Sequence, residues 1–393
     1  MLQSSRIKKV EGDIMLKGYK FRIYPTHEQK ILIHKSFGCA RFVYNYYLTK
    51  IKDGNYKSAF VCVKDYVDHL KYEYSFLQEV DSIIIRKSLF HLEEAFKRYF
   101  NHIAEYPKYK SKWSRNSYTT SAIYRNYKEK TYCNIEVDLQ KKQIKLPKLK
   151  WIKCRGYRNL DKINARIINT TISKESNGKY YVSILYDLPI SEKKQKIPNS
   201  IVGIDLGVKN LMTLSDNTVI ENNRYVLKYE KRIKRCQKEL ARKEKQSKNY
   251  YKCKQKLATL YSKLKNARNY YLHHITKKIT DNYDIIVCEK LHTKDMLARK
   301  VLSKHISDAS FYEITRQLQY KSNWKRKLFY QINDYYPSSQ TCSICGTVDK
   351  KYKNLLEREY QCCNCQNVMD RDLNASINIM FGCLKLYMKT CLE

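Results

Sequence analysis

The sequence predicts a multidomain α+β protein. Three observations carry that expectation. The hydrophobic period changes from helical to alternating near residue 130. A polar linker bracketed by Pro189 and Pro198 leads straight into an apolar strand–turn–strand run. Two Cys-x-x-Cys pairs lie near the C-terminus. At 393 residues the chain is long enough for two or three domains.

Lys and Arg number 77 against 38 Asp and Glu, a formal net charge of +39. With 43% hydrophobic residues and abundant aromatics (3 Trp, 36 Tyr, 11 Phe), the chain can bury a sizeable core, which excludes generic disorder. Such a surface repels itself unless a polyanion covers it. No long apolar run suggests a spanning helix, and MLQSSRIKKVEGDIM has no apolar secretion-signal core. The expected polyanion is therefore nucleic acid in the cytoplasm, not a membrane.

In chain order, residues 1–14 read as a polar N-terminal arm, and the run after Met15 has the character of a domain start. KGYKFRIYP reads as a strand ending at Pro25. Thr26-x-x-Gln29 is a capping box opening a helix with Ile33, Phe37 and Ala40 on one face. Helical pattern continues over 26–105, including the amphipathic stretch 91–103, and Pro107 is its expected stop. Residues 107–125 read as a basic, aromatic loop. CNIEVDL, KQIKLPKL, ARIINTTI and KYYVSILYDL read as strands, with Asn177-Gly178-Lys179 a hairpin turn. The linker is 189–199. IVGIDLGVKNLMTLS (201–215) follows, then a strongly basic pair of helices over 223–279. DIIVCEKL (284–291) is a buried strand of the parallel-sheet type. A helix over 311–327, a strand from KLFYQINDYY and a last helix over 372–389 complete the pattern.

The sharpest chemical signal is Cys342-x-x-Cys345 and Cys362-x-x-Cys365. Their separation suits a four-cysteine zinc ribbon, a closed structural site for one Zn2+. A redox dithiol needs only one such pair. The other ten cysteines, Cys363 among them, have no ligand-like spacing and read as reduced thiols.

Three carboxylates form the second constellation. Asp205 and Glu289 each close an apolar strand, and Asp372 opens the last helix. An acid at the end of a buried strand is costly to desolvate and needs a partner. Three such acids at one sheet end suit two Mg2+ ions, about 3.5–4 Å apart, for phosphodiester hydrolysis. Singly, each also has a plain structural reading: a turn former, a surface residue past a strand, a helix N-cap. Tyr106, Tyr109, Trp113, Tyr118 and Tyr124, interleaved with Lys and Arg, are candidates for stacking on bases, with compositional bias as the alternative.

KGYKFRIYPTHEQ…FGCARFVYNYYL (17–48), GIDLGVKNLMTLSD (203–216), the Glu289 strand, SFYEITRQLQYK (310–321), PSSQTCSICG (337–346) and DRDLNASINI (370–379) together resemble the TnpB family. These are insertion-sequence-encoded proteins related to the miniature type V CRISPR nucleases. The resemblance implies an RNA-guided DNA endonuclease that uses Mg2+ or Mn2+ and binds a guide RNA and double-stranded target DNA beside a short flanking motif. A monomer is the favoured state, acting near the nucleoid. It implies a wedge-type β-barrel (15–25 and 126–188) with a helical recognition insertion (26–125). A RuvC-like, RNase H-type α/β domain (200–336 and 370–393) with inserted basic helices and a zinc ribbon (337–369) would follow.

By the same resemblance the catalytic Asp, Glu and Asp fall on Asp205, Glu289 and Asp372, with Asp372 preferred to Asp370, and Arg371 and Asn374 assist at the substrate. Lys290, Gln366 and Met369 depart from the family pattern, where Asp, Gly and His are usual. A miniature CRISPR effector and a non-catalytic RNA-guided repressor are the alternatives. Loss of an acid would mark the repressor, and all three acids are present.

Overall fold

β1 (Ile14–Tyr24) opens the chain as expected, and Thr26 starts α1 (His27–Lys52) through a complete capping box. The Thr26 hydroxyl accepts the Gln29 amide at 3.3 Å, and the Gln29 side chain accepts the Thr26 amide at 3.0 Å. The computed structural model describes residues 14–53, 58–127, 130–156, 165–189, 197–298, 303–333, 336–354 and 357–392. It divides into two units, Met1–Glu192 and Lys193–Glu393. Apart from Ile14, the expected arm lies outside the described residues, as do residues 190–196 of the linker.

In the first unit α1 is followed by short α2 (Ala59–Asp65) and α3 (Lys71–Glu73), then α4 (Ser82–Phe100). Eight strands come next: β2 (Asn116–Ser121), β3 (Tyr124–Tyr127), β4 (Lys130–Cys133), β5 (Glu136–Asp138), β6 (Gln143–Leu146), β7 (Lys150–Arg155), β8 (Arg166–Lys174) and β9 (Tyr180–Pro189). Seven strands form an antiparallel half-barrel in the order β2-β8-β9-β1-β7-β6-β5, while β3 and β4 make a separate hairpin. The sheet buries Tyr19, Phe21 and Ile23 of β1 against Ile33 and Phe37 of α1. The second half of α1 buries Val43, Tyr47 and Leu48 against Ile85, Leu89 and Leu92 of α4. One helix thus serves two cores, because its apolar stripe outlasts the sheet it starts on.

Two expectations fail here. The helix does not run to Pro107: α4 ends at Phe100, and His102 adopts φ 55°. The His102 amide donates to the Tyr99 carbonyl at 2.9 Å and that of Ile103 to Arg98 at 2.9 Å, a Schellman closure. Nor is 107–125 all loop, because β2 joins the sheet with Tyr118 opposite Ile172. Tyr118 and Thr120 point inward and are buried. The period-2 signal is only a few residues long and hides among lysines.

In the second unit β10 (Ile201–Leu206), β11 (Asn210–Leu214) and β12 (Val219–Glu221) form a meander. The basic pair α5 (Tyr225–Ala241) and α6 (Lys248–Asn282) follows, then β13 (Ile285–Glu289), α7 (Thr293–Ala298), α8 (Ser303–Ala309), α9 (Phe311–Trp324) and β14 (Leu328–Ile332). The five-stranded sheet has the order β12-β11-β10-β13-β14, with β10, β13 and β14 parallel and β11 and β12 antiparallel to their neighbours. The hairpin β15 (Glu359–Gln361) and β16 (Val368–Asp370) leads into α10 (Arg371–Leu392).

Alternation along the strands sorts the two faces. Val202, Ile204, Ile286 and Cys288 pack with Leu272 and Ile275 of α6 and with Ile314 and Leu318 of α9. Val287 and Ile332 pack on the opposite face with Ile379 of α10. That helix comes very close to β10. A Cβ on Gly203 would lie 2.0 Å from the Ser376 carbonyl oxygen, so only glycine fits there.

Candidate active site and metal centre

Asp205 lies two residues beyond Gly203, and Glu289 two beyond Val287, so both project on the α10 face. The parallel ladder pairs Gly203 with Val287 and Ile204 with Cys288, and the next step sets Asp205 beside Glu289. All three acids are half-buried. Burial pushes Asp205 well above the carboxylate range. The charges of Glu289 and Asp372 add to that rise, and Arg371 opposes it. Burial likewise pushes Glu289 up to about 7, although the Leu206 amide and a hydrogen bond with Asp205 favour its ionised form. The strand pair therefore sets Asp205 beside Glu289, with the charge of Asp372 bearing on Asp205, although the ligand atoms of the three acids do not all lie within 4.8 Å of one another as those of the four cysteines do.

The choice between the two C-terminal aspartates follows from hydrogen bonding. Asp370 Oδ1 accepts the amides of Asp372 at 2.9 Å and Leu373 at 3.0 Å, so Asp370 caps α10. Asp372 instead bears its charge on Asp205. Arg358 Nη1 stands 3.8 Å from Asp372 Oδ2, a neighbour that no sequence signal marked.

Arg371 and Asn374, which the resemblance places at the substrate, are both engaged with the cysteine module. Asn374 is fully buried, donating to the Thr341 carbonyl at 2.7 Å and accepting the Ser343 amide at 2.9 Å. Arg371 is buried too, with Nη1 donating to the carbonyls of Asn354 and Glu357, each at 3.1 Å. Both tie α10 to the cysteine module.

The ligand atoms of Cys342, Cys345, Cys362 and Cys365 lie within 4.8 Å of one another. Among the described residues no other group of three or more His, Cys, Asp or Glu meets that spacing. Sγ of Cys342 and Cys365 are 3.6 Å apart, and those of Cys345 and Cys362 3.5 Å. A tetrahedral ion with metal–sulfur bonds of about 2.3 Å spaces its sulfurs by about 3.8 Å, so the donor set fits a structural zinc site.

The Thr347 hydroxyl, 3.2 Å from Cys345 Sγ, holds that thiol down at about 5. For Cys365 the Asn367 amide favours the thiolate, but desolvation and the other sulfurs push it up to about 12. Four thiolates need a cation to coexist. Gly346 (φ 78°) and Gln366 (φ 55°) close the two turns in the left-handed region. The usual glycine at position 366 thus has a backbone reason, and Gln366 carries strain in its place. Met369 packs against the module's Tyr352 and Tyr360 core.

Of the aromatic candidates, Tyr118 belongs to the sheet core. Tyr124 is engaged with the Ile167 backbone, its hydroxyl donating to the carbonyl at 3.0 Å and accepting the amide at 2.8 Å. Tyr106, Tyr109 and Trp113 are exposed. Among the described residues no helix is long and apolar enough to cross a membrane.

A solved Cas12f1 chain, from a Cas12f1–sgRNA–target DNA complex, shares this fold. Its TM-score is 0.57 at 15% identity, and the match covers 93% of this chain and 99% of that one. Residues 183–300 match the OrfB_IS605 family, described as "Probable transposase", and 311–379 match the Cas12f1-like TNB domain. Residues 15–58 match a helix-turn-helix domain, although the described part of that range is one strand and one continuous helix.

A Streptomyces pristinaespiralis protein named "Putative RNA-guided DNA endonuclease" is 32% identical, the match covering 93% of this chain and 88% of that protein. InsQ of Escherichia coli K12, named in the same words, is 30% identical over 93% of this chain and 92% of its own length. The TnpB-like protein L79 of Acanthamoeba polyphaga mimivirus matches 29% of this chain at 29% identity, over 22% of its own length. The chain belongs to the TnpB family.

Proposed function

We propose that the protein is an RNA-guided DNA endonuclease. Asp205, Glu289 and Asp372 would hold divalent cations in a RuvC-like, RNase H-type domain, and the four cysteines would hold zinc in a ribbon. The observation that carries this reading is the pairing of Asp205 with Glu289 on adjacent parallel strands, with α10 bringing Asp372 to them. The meander followed by two parallel strands supports the domain reading. The names of the full-length relatives support RNA guidance and DNA as substrate.

The three carboxylates are hard oxygen donors, the ligand chemistry that Mg2+ or Mn2+ prefers. When bound, such ions supply an activated water and stabilise the leaving oxygen. Burial raises Asp205 and Glu289, so a bound cation would favour the ionised form of both. Asp370 and Gly203 set the helix that carries Asp372. The basic surface would bind RNA and DNA through phosphates, while base pairing reads the target and the protein reads a short flanking motif. The setting would be a transposon-encoded monomer in the cytoplasm, near the nucleoid.

The test is to sequence the RNA that co-purifies with the protein and then replace its guide segment. Plasmid cleavage in Mg2+ should move to the newly specified sequence. Cleavage indifferent to the guide would refute the reading.

A further inference from the structure

α10 begins where the cysteine module ends. β16 runs to Asp370 and α10 starts at Arg371, so the direction of Asp372 is inherited from the module. The Arg371 amide donates to the Arg358 carbonyl at 2.9 Å, and its guanidinium is tied to the 354 and 357 carbonyls. One turn along the helix, Asn374 bonds the Thr341 carbonyl and the Ser343 amide. Ser343 lies between Cys342 and Cys345, inside the turn that presents two of the four thiols. A turn further on, Asn378 donates to the carbonyls of Thr341 at 2.6 Å and Ser338 at 2.8 Å.

A buried amide that uses both its donor and its acceptor on a neighbouring turn, as Asn374 does, fixes the position of that turn, because an unmet partner is costly. The turn itself closes through the Gly346 amide, which donates to the Cys342 carbonyl at 2.9 Å, and the Cys342 amide, which donates to Thr347 at 2.8 Å. Its shape depends on what the four sulfurs hold.

We propose that the four-cysteine module positions Asp372 through Asn374, so that zinc in the module sets the divalent-cation affinity of the carboxylate site. This rests on the reading of Asp205, Glu289 and Asp372 as a cation site. Asn374 is a positioning residue: it is buried two residues past the acid and is engaged by the zinc-binding turn. Partners hydrogen-bonded to a metal ligand are worth about 10–100-fold in metal affinity, and Asn374, which bonds the module and not Asp372 itself, is placed at the lower end.

The experiment is calorimetric titration of Mn2+ into the full-length protein–RNA complex, with zinc content measured on every sample. Cation sites on the RNA cancel against the Asp205→Ala complex. Asn374→Ala should keep about one zinc and bind Mn2+ about tenfold more weakly. Asn374→Ala/Asp372→Ala should be no weaker than Asp372→Ala alone, because Asn374 acts through Asp372. Removing zinc from the wild type should weaken Mn2+ binding similarly, and should have no effect in Asp372→Ala.

Wild-type Mn2+ affinity in Asn374→Ala would overturn the proposal. So would an equal loss in the Asp372→Ala background. If Asn374→Ala loses its zinc, Asn378→Ala is held to the same two criteria. If Asp205→Ala binds Mn2+ like wild type, the cation-site reading fails first and takes this proposal with it. A loss in Asp205→Ala but not in Asn374→Ala overturns the proposal alone.

Discussion

Asp370 caps the helix that Asp372 opens: its Oδ1 accepts the Asp372 amide at 2.9 Å. Two aspartates two positions apart thus do different work, one holding backbone and the other bearing its charge on Asp205. Asp372→Asn should abolish cleavage, whereas Asp370→Asn, which keeps a cap acceptor, should cleave at near wild-type rates. Asp370→Ala should lose about 1 kcal/mol of stability through the lost cap. Cleavage rates beside melting curves check all three.

Replacing one thiol breaks a closed site. Cys345→Ser should lose the single zinc and destabilise 337–370, because structural zinc binding is itself folding free energy. Metal analysis and hydrogen exchange over that segment read the effect. Full zinc content in the variant would refute the ligand assignment.

Gln366 sits at φ 55°, where a side chain costs about 1–2 kcal/mol that glycine does not incur. Gln366→Gly should stabilise the module by about 1 kcal/mol and slow zinc release to a chelator. Gly346→Gln, at φ 78°, should do the opposite.

Glu289 is pushed up to about 7, so below neutrality a proton competes with a cation for the pair it forms with Asp205. A raised carboxylate is protonated below its folded pKa, and Asp205 is raised as well, so Mn2+ affinity should increase with pH through about 7. Titrations between pH 5.5 and 8.5, with proton release measured, test this. Affinity flat across that range would contradict it.

How much of this was legible in the sequence depended on range. The Thr26–Gln29 cap, the Asn177-Gly178 turn and the apolar runs ending in Asp205 and Glu289 are local signals, and the structure contains each. The short β2 is hidden because its inward residues, Tyr118 and Thr120, gain their partners from β8, Phe37 and Asp81, all some forty to eighty residues away. The burial of Asn374 is hidden for the same reason. Its partners Thr341 and Ser343 lie over thirty residues upstream, so nothing beside it in sequence shows that it is buried. Arg358, near Asp372, was invisible because only the β15–β16 hairpin brings it there.

The central claim is that three carboxylates perform the chemistry while the basic surface and base pairing hold the nucleic acids. Cleavage and target binding should be measured on one Asp205→Ala protein–RNA complex in Mg2+. The account predicts no cutting of either strand, with guide RNA retained and target affinity within about threefold of wild type. Cleavage at wild-type rates, or loss of cleavage together with RNA binding, would contradict it.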